Sequence, residues 1–238
     1  MDFTILENGF IKISNFLPQE LFDQFANSEY WDNEFSHSVP RENKHNDEKH
    51  LAYIEKKYPE VFEVYKRIAD KEFLTDCILT LDKAYPELKN ANIGATLNID
   101  LKGDRRAFLQ SKKASDRVLR LISRLARVRK KFFLDLDFGL STSSYLIPKH
   151  IDQAHKQFAC VVYLSGPPVA GSNQGGFGYL DGQGNDIEIP LEKNSAMLFR
   201  NHGRAIHYTL PFDKCENYNR KIIYFSLADS VGKNIQRS

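Results

Sequence analysis

The sequence predicts a β-rich α+β fold: a double-stranded β-helix, that is, a double-sheet jelly roll, with buttressing N-terminal helices. Three observations predict it. Apolar residues recur at three- and four-residue steps through about 47–88, the period of amphipathic helices. From 132 onward the pattern changes to alternating or continuous apolar runs of strand length. Those short runs are separated by Gly and Pro turns, which indicates a jelly roll rather than alternating α/β units.

Taken in order, 10–14 alternates like a short strand and leads into 15–22, where Pro18 suits the first turn of a helix. The polar stretch 36–49, with His37, His45 and the nearby His50, lacks the short repeated spacing of a metal site and is expected to be a solvated loop. Leu51, Ile54, Tyr58, Val61, Phe62, Tyr65 and Ile68 then mark helices that break before Pro59 and Pro86. Such helices cover a sheet, and no chemistry is assigned to them.

Residues 95–101 alternate as an early strand, with a turn at 102–104. The stretch 111–131 is the most basic, with Arg117, Arg120, Arg124 and Arg127 on one helical face and Val118, Leu121, Ile122, Leu125 and Val128 on another. This is expected to be a core-packed helix with a solvated basic face, the alternative being a surface for an anionic partner. After it, strands are expected at 132–138, 158–164, 177–180, 187–189, 195–199, 205–210 and 221–227, with a flexible link at 171–178 and a hairpin turn at 181–185.

The 238 residues are expected to form a single domain: 1–92 for the N-terminal strand and helices, 93–228 for the jelly roll including the basic helix near 112–131, and 229–238 as a tail. With 33 Lys and Arg against 31 Asp and Glu, charge singles out no partner, and a dedicated nucleic-acid-binding chain is not expected. The first residues lack a basic start and long apolar run, and no stretch approaches a membrane span. Cys77, Cys160 and Cys215 are odd in number with no Cys-x-x-Cys pair, which suits a reducing, cytoplasmic setting.

The chemistry concentrates late in the chain. In a strand, His150 and Asp152 are two apart and project to one side. A second imidazole, His207 in a later strand-like run, would complete a 2-His-1-carboxylate set suited to Fe(II). Arg220 heads an apolar run, where a buried guanidinium needs an anionic partner; a carboxylate ligand is the natural one. A four-histidine zinc site with His155 and His202 is disfavoured, because a spacing of five turns each pair to opposite strand faces. The glycine-rich run 171–177 lacks the Lys-Ser/Thr ending and following helix of a phosphate loop.

The order His-x-Asp, Val-Tyr-Leu-Ser at 162–165, Gly175-Gly176, Pro190-x-x-x-Asn194, a second His and then a basic residue resembles the 2-oxoglutarate and Fe(II)-dependent dioxygenases. It is closest to their prolyl-4-hydroxylase-like branch, over roughly 140–228, and the fold implied is cupin-like. The resemblance implies Fe(II) on His150, Asp152 and His207, with 2-oxoglutarate as co-substrate, O2 as oxidant and ascorbate as a further candidate. It places Arg220 on the distal carboxylate of 2-oxoglutarate, with Tyr163 supporting it and Tyr145 as a pocket aromatic; Lys221 and Arg204 are alternative anchors. A carboxylate at Asp152 favours hydroxylation over halogenation. The implied reaction hydroxylates an aliphatic carbon of a prolyl or other peptide side chain, a free amino acid or another small molecule. The alternative from another class is a non-catalytic cupin-like binding protein that works through its basic helix.

Overall fold

A computed structural model describes residues 1–36, 39, 41–45, 48–88, 96–99, 106–110, 131–142, 147–153, 156–213 and 218–228. The strands are β1 (Asp2–Ile5), β2 (Phe10–Ser14), β3 (Arg41–His45), β4 (Thr96–Ile99), β5 (Arg106–Gln110), β6 (Lys131–Ser141), β7 (Lys156–Tyr163), β8 (Phe177–Leu180), β9 (Asp186–Ile189), β10 (Ser195–Arg200), β11 (His207–Thr209) and β12 (Arg220–Ala228). The helices are α1 (Gln19–Ala26), α2 (Tyr30–Glu34), α3 (Glu48–Lys57), α4 (Pro59–Ile68) and α5 (Lys71–Ala84).

Among the described residues the strands form two antiparallel sheets. The larger runs β1-β2-β10-β7-β12-β6-β5-β4, with β3 also paired to β6, and the smaller runs β11-β8-β9. Alternation along each central strand decides what each face of the large sheet meets. Leu134, Leu136, Phe138, Cys160, Val162, Ile223 and Phe225 point one way and share a buried cluster with Phe22, Phe25, Tyr30, Trp31, Val61, Val64 and Leu74 of the helices. Phe10, Ala159, Tyr163, Met197, Phe199 and Ile222 point the other way, onto Phe177 and Tyr179 of the small sheet.

Local chemistry fixes the element ends. Pro59 opens α4 at its first turn, where its missing N–H costs nothing. The Asp70 carboxylate caps α5 by accepting from the Phe73 N–H at 2.9 Å. At the β8–β9 turn, Asp181 accepts from the Gln183 and Asn185 N–H groups, each at 2.8 Å. Gly184 takes φ +89° there, a conformation that favours glycine. Asn194, at φ +57°, ties the sheet to the N-terminal segment: its side chain accepts from Leu17 N at 2.8 Å and donates to Leu17 O at 2.9 Å.

One expectation is overturned. Within 36–49, read as a solvated loop, β3 pairs residue by residue with β6 from Arg41↔Ser141 to His45↔Asp137. All five of its residues are polar, so no alternation betrays it; its partner is the edge of β6. Smaller corrections follow from where hydrogen bonding begins and ends: the strand expected at 158–164 starts at Lys156, and that expected at 205–210 shortens to His207–Thr209. The turn at 102–104, most of the basic stretch 111–131 and the tail 229–238 lie outside the described residues. Among those described, no helix is long and apolar enough to cross a membrane.

Candidate functional site

His150 and His207 are locked together by their backbones. Each N–H donates to the other's carbonyl at 3.0 Å, an isolated antiparallel bridge that puts both side chains on one face. Their rings lie with centroids 4.3 Å apart. Each Nδ1 faces the carbonyl two residues earlier: His150 to Pro148 at 2.9 Å and His207 to Ala205 at 3.0 Å. Because a carbonyl only accepts, Nδ1 carries the hydrogen, and Nε2 is left with its lone pair. Phe177 stacks on the His207 ring at 5.6 Å and Phe199 sits at 4.4 Å, so that ring is fixed.

Asp152 projects beside them, with Oδ1 3.8 Å from His150 Nε2. One ligand atom from each of the three lies within 4.8 Å of the others. Two imidazoles and a carboxylate form a donor set suited to a first-row divalent cation such as Fe(II), and modest side-chain rotation would draw them onto one.

The rest of the Asp152 carboxylate is taken up by neighbours. The Tyr224 hydroxyl donates to Oδ2 at 3.3 Å, and Lys156 Nζ stands 3.5 Å from Oδ1. Lys156 also donates to the Tyr224 oxygen, which closes a three-residue ring of contacts. Burial first, then the negative charges of Asp152 and Asp135, push the Tyr224 phenol far up, so it stays protonated and able to donate. Burial pushes His207 down to about 4, aided by His150 and Lys156 and opposed by the Ala205 carbonyl and Asp152. Its ring is therefore neutral near pH 7.

These residues line a cavity of about 290 Å³ between the sheets, together with Arg220, Tyr163, Asp135, Asp137, Arg41 and Asn43. Arg220 is only 2% exposed; its Nη1 donates to Gly175 O at 3.0 Å and its guanidinium lies 5.6 Å over the Phe212 ring. Gly175, at φ +73°, brings its carbonyl against the arginine, and a Cβ there would stand 3.5 Å from Arg220 Cδ. The Asp152 carboxylate is held by Lys156 and Tyr224. Tyr163 is buried, which raises its phenol, while the nearby Arg220 opposes the rise.

Other candidates fall elsewhere. Tyr145 and His155 lie outside the described residues. Lys221 points to the opposite face, where Nζ donates to Ala26 O at 2.8 Å and sits 5.6 Å from the Trp31 ring. Arg204 is exposed in a turn. His202 is bonded through Nε2 to Asn8 O at 3.0 Å, away from the cavity.

Sequence reasoning missed Lys156, Tyr224, Asp135, Asp137, Arg41 and Asn43. Parity would have found some of them: Arg220, Ile222 and Tyr224 share a strand face, and Asp135 and Asp137 alternate with buried Leu134, Leu136 and Phe138. Lys156 carries no such signal: it opens β7 and reaches Asp152, four residues earlier, outside any strand alternation.

No family model matches the sequence, and no curated protein matches it. Solved structures do. A prolyl-4-hydroxylase of Pseudomonas putida superposes with TM-score 0.52 at 10% identity, covering 94% of this chain and 89% of that one. A prolyl hydroxylase of Trichoplax adhaerens, in complex with a hypoxia inducible factor oxygen degradation domain peptide fragment, gives 0.50 at 14%, covering 93% and 84%. The epimerase SnoN, in complex with Fe3+, alpha ketoglutarate and nogalamycin RO, gives 0.50 at 11%, covering 94% and 80%. The fold is therefore the jelly roll of prolyl hydroxylases and other 2-oxoglutarate, Fe(II)-dependent oxygenases. At these identities the likeness is one of fold.

Proposed function

We propose that this protein is a 2-oxoglutarate and Fe(II)-dependent dioxygenase that hydroxylates an aliphatic carbon. The observation that carries the reading is the meeting of His150, Asp152 and His207, distant in sequence, in one cavity with the buried Arg220. An Fe(II) ion held there would supply O2 binding and activation, coupling decarboxylation of 2-oxoglutarate to succinate with oxidation of the substrate carbon.

His150 and His207 offer Nε2 to the metal because their Nδ1 hydrogens are engaged by backbone carbonyls. Tyr224 and Lys156 hold the Asp152 carboxylate in orientation. Arg220 receives the distal carboxylate of 2-oxoglutarate, a charge-assisted bond of ~1.5–3 kcal/mol, with the Tyr163 hydroxyl beside it. Val161, Phe177 and Ile222 give the cavity apolar walls that exclude water from that end. Asp135, Asp137 and Asn43 line the remainder, where the primary substrate would enter.

A volume of about 290 Å³ lies at the lower limit of the ~300–1,000 Å³ typical of ligand pockets. It suits the keto acid plus one inserted side chain or a small molecule. A prolyl or other peptide side chain and a free amino acid are the substrates we favour, and ascorbate would serve as accessory reductant.

The test is succinate release from 2-oxoglutarate with Fe(II) and air, measured by mass spectrometry across proline-containing peptides and free amino acids. Wild-type protein should form succinate, more with the right substrate, and His207→Ala should form none. Equal succinate from both proteins would defeat the proposal, as would none from wild type with any candidate.

A further inference from the structure

The large sheet ends at β1, which among the described residues pairs with β2 alone. The ladder shows which backbone groups of β1 are left over. Leu6 N–H donates to Phe10 O at 2.9 Å, and Thr4 and Asp2, at steps of two from it, stand opposite Lys12 and Ser14. In an antiparallel ladder alternate residues turn their backbone groups to opposite sides, so Asp2, Thr4 and Leu6 bond β2 while Met1, Phe3 and Ile5 turn their N–H and C=O groups to the open edge.

The same three residues share a face and carry large apolar side chains, exposed by 47%, 48% and 60% respectively. Phe3 and Ile5 stand opposite Ile13 and Ile11, which are buried in the helix-covered core, so the row carries that apolar layer outward to the rim of the sheet. Exposed edges are commonly blunted by lysine, proline or an inward charge. This one has none of them on its apolar face, and its acid, Asp2, is turned to the other face and accepts from Asn15 Nδ2 at 3.0 Å.

We propose that β1 is a dimerisation strand, pairing antiparallel with β1 of a second copy about a two-fold axis through Phe3. Phe3 then exchanges both backbone bonds with its twin, and Ile5 N–H donates to Met1 C=O of the other copy. Met1 lies opposite Ile5, and Asp2 opposite Thr4. This register leaves every outward group paired and every apolar side chain beside another. Shifting it by two residues sets Asp2 against Asp2 in one direction, or Met1 against Glu7 in the other; a shift of one sets outward groups against inward ones. An identical strand meets these demands by symmetry, which commits the edge to a second copy rather than to a different protein. The metal-binding group lies between the sheets, away from this edge, so the inference is independent of the proposed activity.

The experiment is sedimentation equilibrium of the full chain over a range of concentrations. Wild type should pass from the mass of one chain to that of two as concentration rises. Phe3→Glu, which opposes two carboxylates at the axis, should stay at one chain throughout. Ile5→Pro removes an N–H that β2 does not use, so it should keep the wild-type circular dichroism yet weaken the dimer about tenfold or more through two symmetry-related bonds. It also keeps the proposal testable should Phe3→Glu misfold. Wild type that remains a single chain at every concentration overturns the proposal. So does a dimer that survives either substitution unchanged in a folded protein.

Discussion

Replacing Tyr224 by Phe removes one hydroxyl and leaves the ring. In the native chain that hydroxyl donates to Asp152 Oδ2 at 3.3 Å and accepts from Lys156, whose Nζ stands 3.5 Å from the other carboxylate oxygen. Without it, the carboxylate can turn toward Lys156 and away from the two Nε2 atoms. Loss of an outer contact to a metal ligand typically costs ~10–100-fold in metal affinity. A donor 3.3 Å from its acceptor is at the weak end of hydrogen bonding, so we expect about tenfold, or ~1.4 kcal/mol. Mn(II) titration followed by electron paramagnetic resonance at constant pH measures it. Unchanged Mn(II) affinity in a well-folded Tyr224→Phe protein would refute the idea that Tyr224 orients Asp152.

Two further outcomes are expected. The folded-state pKa of His207 is lowered from 6.5 to about 4, so between these values the unfolded chain binds more protons than the folded one. Its contribution is present in full above 6.5 and falls as pH drops toward 4; metal-free protein should lose ~2 kcal/mol more than His207→Gln between about pH 7.5 and 5 in urea unfolding. Equal losses in the two proteins would count against a buried neutral imidazole. Trp31 is fully buried, stacked on Phe35 at 5.3 Å and donating to Phe25 O at 2.8 Å. Trp31→Ala should cost ~3–5 kcal/mol and lower the melting temperature by roughly 10 °C in calorimetry. A shift of only a degree or two would mean that the helices contribute little to holding the sheet.

The sequence carries part of the candidate metal group plainly because its signal is local: a spacing of two brings His150 and Asp152 together without knowledge of the fold. The hairpin at Asp181 and the break at Pro59 are legible for the same reason. What hides is whatever depends on closure. β3 is a strand only because the edge of β6 is there to receive it, and five polar residues give no alternation to betray it. Asp135 and Asp137 look like the solvent side of a half-buried strand, yet the small sheet roofs them and makes that side a cavity wall. The bond from Arg220 Nη1 to the Gly175 carbonyl is hidden for the same reason, since it depends on a turn 45 residues earlier in the chain.

The claim on which the rest depends is that His150, Asp152 and His207 together hold a metal ion to which the keto acid must add. Calorimetric titration of metal-free protein with Mn(II), followed by 2-oxoglutarate, tests it directly. One ion per chain should bind in wild type, and 2-oxoglutarate should then bind far more tightly than without it; both effects should vanish in Asp152→Ala and His207→Ala. Metal binding that survives both substitutions, or keto-acid binding indifferent to the metal, would contradict the account.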